Sequence, residues 1–441
     1  MDLPGRDLSP TRDELLARHA RDNAGASMAF ALRCSALIAA LVLIDWRGLS
    51  AEPLPAGIFL AVMLGRYLAD LVPLAGRKRK QIRDLRPETK FGVHDRQSLL
   101  SLVSDVEARL GIPANRYPVY LVREKSLNAA AVSLGLDSLL GRVDGVYLHR
   151  QTLHVLEPRE LAFVIGHELG HCHRYYLKSS RWELLNLLLV AAAGLAAVPL
   201  ASGWGWLGVF GLGLLAVAVL YAMRSQSLAS IRTIEHLCDD YGARAAGVVN
   251  GVNALLKIAS ESEAANRVTR FCLEVGRQRG DIDPLELMAE YEKAAPFGKL
   301  DPAEADRFLA ASLQEVERRK QGLSLRGMLD YLNDSEVDED ALDELRVLWK
   351  RLDEVQAIDW TKPLRETGAK QLTEEQIDRV VAALAANPAA VLSRTPEELA
   401  EETTHPTTRK RVLYLWQNRD AIKAAANDTT GDGARGNPYL R

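Results

Sequence analysis

The stretch VIGHELGHCH, residues 164–173, decides how the rest of this chain is interpreted. His167 and His171 are four residues apart, so on a helix both imidazoles project from one face and can share a metal ion. Glu168 lies beside them and can accept a proton from a water molecule that the metal activates. Zinc lowers the pKa of such a water towards ~7. The motif therefore predicts a zinc site with Glu168 as general base, but it supplies only two of the three protein ligands that a catalytic site needs.

The third ligand is expected from another part of the chain. His173 lies two positions beyond His171 and points about 200° away around a helix, so we expect it to be a polar surface residue. The stretch RTIEHLCDDYGARAAG, residues 232–247, places Glu235 and Asp239 four apart and hence on one helix face. Glu235 could complete a His₂Glu site, and Asp239 could accept the free ring N–H of a ligating histidine. Taken alone, the acidic pair is more typical of a solvated helix face. Its place beside HExxH and a hairpin that returns the chain to the same side favours the ligand role.

Apolar sequence separates these two motifs. Residues 184–201 and 205–223 carry no charge, and each is about long enough to cross a ~30 Å hydrocarbon core as a helix. Only three residues separate them, which predicts a membrane hairpin. Residues 28–44 and 54–74 predict another hairpin, although they include a few charged side chains. The alternative for the uncharged pair is a buried hairpin in a large soluble protein.

The distribution of basic residues predicts the orientation in the membrane. Five Lys and Arg residues occur within residues 77–83, directly after the second span, whereas the loop 45–53 contains only Arg47. By the positive-inside rule, both hairpin loops point outward. The N-terminus, the His167 region and everything after residue 223 are then expected in the cytoplasm.

Composition excludes several other classes of protein. The chain has 441 residues and a net charge of −3, so nothing indicates a nucleic-acid partner. Its four cysteines show no CxxC spacing, which is typical of reduced thiols. The polar first 27 residues lack the pattern of a cleaved signal peptide.

Five features together resemble metallopeptidase family 48, which comprises HtpX-like membrane proteases and CAAX prenyl proteases. They are NAAA at residue 128, HELGH at 167, the intervening membrane hairpin, ExxxD at 235 and THPTTRKRVLYL at 404. Two spans, HExxH, two further spans and then the glutamate look like the HtpX branch. The resemblance covers roughly residues 30–272 and a short segment around His405. It implies one zinc ion per chain, held by His167, His171 and Glu235, with Glu168 as general base and Asp239 behind the ligands.

The resemblance also implies where a substrate binds. Asn128, Ala129 and Ala130 open the edge strand beside the cleft, to which a substrate peptide would add as a further strand. His405 and Arg411 match an HPxxxxR segment, in which the histidine is expected to stabilise the oxyanion of the tetrahedral intermediate. Arg411 is expected to contact the substrate.

The predicted fold is α+β and predominantly helical, with about four transmembrane helices and a cytoplasmic zincin-like (gluzincin) domain that contains a small sheet at residues 118–122, 128–133 and 145–149. The predicted segments are a polar N-terminal segment (1–27), a membrane hairpin (28–75), the first part of the zinc peptidase domain (76–183), a second hairpin (184–223), the second part of the domain with the third ligand (224–280), a charged helical insertion (281–402), the HPxxxxR helix (403–426) and a disordered tail (427–441).

The leading interpretation is an integral-membrane zinc endopeptidase of a bacterial inner (cell) membrane. Its expected partners are the lipid bilayer and protein or peptide substrates, chiefly membrane or unfolded proteins, with a role in protein quality control. CAAX-type processing is the alternative activity, although four spans are few for a large intramembrane chamber. A non-catalytic scaffold is the alternative from another class; its structural zinc would be closed by a fourth ligand such as Cys172 or His236.

Overall fold

The computed structural model describes residues 9–51, 53–76, 79–122, 129–132, 145–178, 182–224, 228–279, 282–295, 302–321, 339–399 and 405–427. In chain order, the described helices are α1 (Arg12–Ala24), α2 (Ala26–Leu43), α3 (Trp46–Ala51), α4 (Pro53–Gly76), α5 (Arg96–Arg109), α6 (Arg150–Val155), α7 (Pro158–His173), α8 (Glu183–Ser202), α9 (Gly205–Arg224), α10 (Leu228–Ala246), α11 (Val248–Gln278), α12 (Pro284–Ala294), α13 (Pro302–Gln321), α14 (Glu339–Glu354), α15 (Lys362–Thr367), α16 (Glu374–Ala386), α17 (Pro396–Leu399), α18 (Thr408–Gln417) and α19 (Arg419–Asn427). The described strands are β1 (Arg79–Gln81), β2 (Val119–Val122), β3 (Ala129–Val132) and β4 (Gly145–His149).

The strands form one small sheet in the order β1-β2-β4-β3. β2 and β4 are parallel, while β1 and β3 pair antiparallel at the two edges. Alternate residues such as Leu121 and Leu148 point into the main hydrophobic core, as a half-buried strand requires. The predicted helical class with a small sheet is confirmed, and the polar strand β1 is an addition that the apolar pattern did not indicate.

Three described helical stretches are long and apolar enough to cross a membrane: residues 12–43, Leu184–Ser202 and Gly205–Met223. A shorter apolar stretch, Pro53–Gly65, lies within α4, and the described residues thus support three of the four expected spans. α4 nevertheless packs against α8 and α9. A Cβ at Gly194 would lie only 2.0 Å from Cζ of Phe59, so this glycine admits the α4 side chain between the helices.

The polar N-terminal segment contains a helix. α1 is separated from α2 by Gly25 alone. It packs against α10 in the soluble half, the part of the molecule outside the apolar helices α2, α4, α8 and α9. Leu15 on α1 is buried in the main core. The N-terminal segment is therefore a structural part of the soluble half as well as the start of the first apolar helix.

The charged region 281–402 is divided between two hydrophobic clusters. Its later part contributes Trp360, Leu372, Ile377 and Leu384 to the main core. Its earlier part forms a separate cluster with the end of α11. That satellite cluster consists of Val268, Cys272, Ile282, Leu287, Tyr291, Ala295, Leu309 and Val316. The predicted tail lies outside the described residues except for Asn427.

Candidate metal centre

The helix α7 presents the HExxH motif from the interior of the soluble half. It begins with a capping box in which Glu157 and Glu160 exchange side-chain and backbone hydrogen bonds, with Pro158 in the first turn. Residues 161–170 are all buried. Because this central part of the helix is enclosed, the positions of His167 and Glu168 are fixed by packing, while His171 lies just beyond it and is partly exposed.

The second motif helix, α10, packs directly against α7, and glycines make this close approach possible. A Cβ at Gly166 would lie 2.9 Å from Cα of Gly242, and one at Gly170 would lie 3.2 Å from Cα of Cys238. A Cβ at Gly242 would come within 2.5 Å of the carbonyl oxygen of Phe163. The two backbones therefore come closer than side chains would allow, which lets short carboxylate side chains on α10 reach the imidazoles on α7.

Three side chains from these helices converge with their ligand atoms facing one another. His171 Nε2 lies 3.2 Å from His167 Nε2 and 3.3 Å from Glu235 Oε1, and His167 Nε2 lies 3.6 Å from Glu235 Oε2. A tetrahedral zinc ion with bonds of about 2.0–2.1 Å holds neighbouring ligand atoms about 3.3 Å apart. The observed separations are close to this value, with His171 facing one oxygen of Glu235 and His167 facing the other, so the residues present fit a zinc ion.

The protonation states of His171 and Glu235 also suit a metal. Burial lowers the pKa of His171 to about 4. Burial alone would raise the pKa of Glu235, but the neighbouring histidine rings, His405 first, bring it to about 2. Both groups are therefore deprotonated at neutral pH, which is the form that binds metal.

Asp239 lies one turn beyond Glu235 and holds His167 from behind. Its Oδ1 is 2.9 Å from His167 Nδ1. Because a carboxylate only accepts, Nδ1 carries the proton and the lone pair of Nε2 points into the ligand cluster. The arrangement is the one expected for a carboxylate that orients a ligating histidine.

Arg411 lies against Asp239. Its Nε donates to Asp239 Oδ2 at 2.8 Å and a terminal nitrogen donates to Oδ1 at 2.6 Å, a two-point contact on a carboxylate that is fully buried. Burial would raise the pKa of Asp239, but the guanidinium holds it well below its usual range. Arg411 was expected to contact the substrate; the structure places it behind His167, with a terminal nitrogen 3.5 Å from His167 Nδ1.

His405 lies on the open side of the cluster. Its Nδ1 is 3.0 Å from Oε2 of Glu235, and its side chain is 64% exposed, in contrast to the buried ligands. The ring is therefore both close to the proposed metal position and accessible from outside. This position is compatible with contact to a reacting group.

The remaining motif residues are distributed as follows. Glu168 is buried on α7 between the two histidines. His173 turns away from the cluster and contacts Tyr117, whose hydroxyl is 3.3 Å from its Nδ1. Ala129 and Ala130 lie in β3, an edge strand that packs against α7, whereas Asn128 lies outside the described residues.

The candidates for a fourth protein ligand do not join the cluster. Among the described residues, the group whose ligand atoms lie within 4.8 Å of one another contains only His167, His171 and Glu235. His236 instead stacks on Tyr414, with ring centroids 4.8 Å apart. Cys172, the other candidate, is buried on α7 and is not a member of that group.

Sequence reasoning missed two parts of this site. The clamp of Arg411 on Asp239 joins residues 172 positions apart, and spacing along the chain carries no signal for it. The close approach of the two helices could have been predicted, because Gly166 and Gly170 are four residues apart and lie on the face of α7 that contacts α10. Small residues at that spacing are typical of close helix packing.

Comparison with known proteins places the chain among peptidases. The model of the family described as peptidase family M48 matches residues 94–417. A protein named Protease HtpX homolog, from Pelotomaculum thermopropionicum, is 29% identical over 259 residues, which cover 54% of this chain and 82% of that protein. A Protease HtpX homolog from Pyrobaculum calidifontis is 32% identical over 176 residues, 38% of this chain and 48% of that protein, so the match spans about half of this relative. No solved structure gives a significant match.

Proposed function

The chain belongs to peptidase family M48, and we propose that it is a membrane-bound zinc metalloendopeptidase that hydrolyses peptide bonds of membrane or unfolded proteins. The observation that carries this proposal is the convergence of His167, His171 and Glu235 at tetrahedral separations, with a buried glutamate beside them. The relatives named as proteases support the same class of reaction.

The residues around the cluster suggest a division of roles. A bound zinc ion would polarise the substrate carbonyl and activate a water for attack. Glu168 would accept the proton of the attacking water and pass it to the leaving amine. Asp239 and Arg411 would keep His167 in the tautomer whose Nε2 faces the cluster. His405, exposed at the rim, would donate to the developing oxyanion.

We propose that the substrate binds as an extended strand. β3 is an edge strand of the sheet and packs against the HExxH helix. An unfolded segment could add to this edge through main-chain hydrogen bonds, which carry little sequence specificity. The proposal suits substrates that are unfolded or lack stable local structure, as in quality control.

The location follows from the apolar helices and the charge distribution. α2, α8 and α9 would cross the membrane, and α4, which packs against α8 and α9, would be the fourth span. The basic residues at 77–83 would keep the metal centre on the cytoplasmic side of a bacterial inner membrane. The reaction would then occur beside the bilayer, within reach of membrane-protein substrates.

The test compares the wild type with Glu168→Gln, both purified in detergent at full length. We expect both to hold about one zinc ion per chain, because the three ligands are unchanged. Only the wild type should cleave casein, since the amide cannot accept the proton of the attacking water. Zinc is measured by elemental analysis and cleavage by gel and mass spectrometry.

Other results would redirect the proposal. Zinc in both proteins with cleavage by neither, membrane proteins included as substrates, would support a scaffold with a structural zinc. Cleavage restricted to prenylated peptides would support CAAX-type processing. A wild type that binds no zinc under any loading condition would refute the site.

A further inference from the structure

The N-terminal helix extends the first apolar helix into the soluble half. Gly25, between α1 and α2, has right-handed helical dihedral angles, φ −83° and ψ 0°. At 1.5 Å per residue, α1 adds about 20 Å of helix beyond the start of α2. Whatever α1 contacts is therefore tied directly to the first apolar helix.

α1 is attached to the soluble half at both of its ends. Near its C-terminus, the side chain of Asn23 donates to the carbonyl oxygen of Tyr176 at 3.2 Å and accepts from the backbone N–H of Lys178 at 2.8 Å. At its N-terminus, the side-chain oxygen of Asn418 accepts from the backbone N–H of Arg12 at 3.0 Å. Asn418 follows α18, the helix that carries Arg411. The helix thus bridges the segment before α8 and the end of α18.

At its N-terminal end, α1 also contacts the metal-site helix through a part-buried ion pair. Arg12 Nε donates to Asp240 Oδ1 at 3.3 Å, and Asp240 is fully buried. Arg244 also donates to this carboxylate, at 2.5 Å, but it lies on α10 itself. Arg244 neutralises Asp240 from within α10 and also donates to the hydroxyl of Tyr175, beyond the end of α7, at 3.3 Å. Arg12 belongs to another helix, so its contact also constrains α10.

Asp239 and Asp240 are consecutive, and consecutive residues on a helix project about 100° apart. Asp239 is held by Arg411, and Asp240 is held by Arg12. Two arginines from opposite ends of the chain therefore grip α10 from two directions. Together with the close glycine packing of α10 against α7, these contacts restrict the rotation of α10 about its own axis, and this rotation sets where Glu235 points.

We propose that α1 braces the metal centre and that Arg12 is a positioning residue, acting through Asp240 to hold Glu235 in register with His167 and His171. The proposal rests on the proposed function in so far as Glu235 binds zinc. It assigns the N-terminal segment a role in metal affinity, and it links that affinity to the first apolar helix.

The test measures zinc affinity directly, with the full-length protein in detergent. The dissociation constant for Zn²⁺ is obtained by chelator competition, alongside the visible spectrum of the Co²⁺-loaded protein and the midpoint of thermal unfolding. We expect Arg12→Ala to weaken zinc binding about tenfold, the lower end of the range typical for loss of a residue behind a metal ligand. The Co²⁺ spectrum should change, because the ligand geometry is altered. Arg12→Lys should recover most of the affinity.

Asn23→Ala is the matched control on the same helix. It removes both hydrogen bonds at the other end of α1 but leaves the contact with Asp240 intact. We expect it to lower the unfolding midpoint while the zinc dissociation constant stays within about twofold of the wild type, a change of no more than ~0.4 kcal/mol. Should Arg12→Ala fail to fold, Arg12→Gln, which keeps a donor but no charge, is measured in the same way.

Two results would overturn the brace alone. Arg12→Ala could bind zinc as tightly as the wild type, or Asn23→Ala could weaken binding as much as Arg12→Ala does. The second result would mean that α1 acts only through general stability. A wild type that binds no zinc would instead remove the proposed function, and the brace with it.

Discussion

The metal centre and the charged region 281–402 are both built from helices, yet they differ in how far sequence determines them. In the metal centre, the residue types indicate the chemistry, and the four-residue spacing indicates which side chains project from one helix face. In the charged region, amphipathic patterns name a buried face but no partner. That region is accordingly divided, with α12 and α13 in the satellite cluster and α15 and α16 beside the main core. A motif therefore predicts which side chains lie together when its chemistry requires them to meet at one metal ion. Helix propensity and amphipathic pattern alone do not predict which helices pack together.

Removal of the third ligand should have the largest effect on zinc binding and cleavage, and the same change in the charged region should have none. Glu235→Ala should abolish zinc binding at equimolar metal and reduce casein cleavage to background, since two histidines alone leave an incomplete site. Glu286→Ala, which removes a carboxylate from α12 in the satellite region, is the matched control and should retain zinc and activity. Elemental analysis and a cleavage assay measure both. Full zinc content in Glu235→Ala would show that another residue completes the site.

A smaller effect is expected from the clamp behind the ligands. Arg411→Ala removes the two-point contact with Asp239 and leaves a buried carboxylate without that partner. Zinc affinity should fall about 10–100-fold, while the bound metal should still support some cleavage. Arg411→Lys should recover only part of the loss, because an ammonium cannot reproduce the planar two-point geometry.

The alternative, that Arg411 binds substrate, predicts a different pattern. The KM for a peptide substrate would then rise while the zinc dissociation constant stayed unchanged. Chelator competition and steady-state kinetics on the same preparation distinguish these two roles of Arg411. An unchanged zinc constant would contradict the clamp.

These contrasts show how much of the site could be predicted from sequence. The one-face spacing of His167 with His171, and of Glu235 with Asp239, correctly indicated which side chains meet. It could not indicate how closely the two helices approach, because that depends on glycine contacts between distant segments. The ion pairs of Arg12 and Arg411 could not be predicted for the same reason. Arginine is usually a surface residue, and only the fold brings these two side chains to buried carboxylates. Long-range ion pairs leave no periodic trace along the chain.

The overall fold shows the same limit. The apolar helices α8 and α9 were predictable because length and lack of charge suffice to define a span. The N-terminal segment was predicted only as a polar segment, yet Leu15 lies in the main core. Two leucines, Leu15 and Leu16, on a mostly polar helix are too weak a pattern to indicate burial. Its partner helices are known only once the chain has folded.

The smallest effect on the metal centre is expected from the satellite cluster, and it tests the division of the charged region directly. Leu309 on α13 and Leu384 on α16 are both fully buried leucines within residues 281–402. Each replacement by alanine should destabilise the structure around it by about 2–5 kcal/mol. α16 packs against α18, the helix that carries Arg411, whereas α13 packs against α11 and α12. Only Leu384→Ala should therefore disturb the clamp on Asp239.

We expect Leu309→Ala to leave the zinc dissociation constant and the cleavage of a short peptide unchanged, and Leu384→Ala to weaken both. Hydrogen exchange should show faster opening of α12 and α13 in Leu309→Ala, with α7 and α10 protected as in the wild type. Equal losses of zinc affinity in the two variants would mean that the satellite cluster and the main core unfold as one cooperative unit. The two clusters would then not be independently stable, and the whole charged region would stabilise the metal centre.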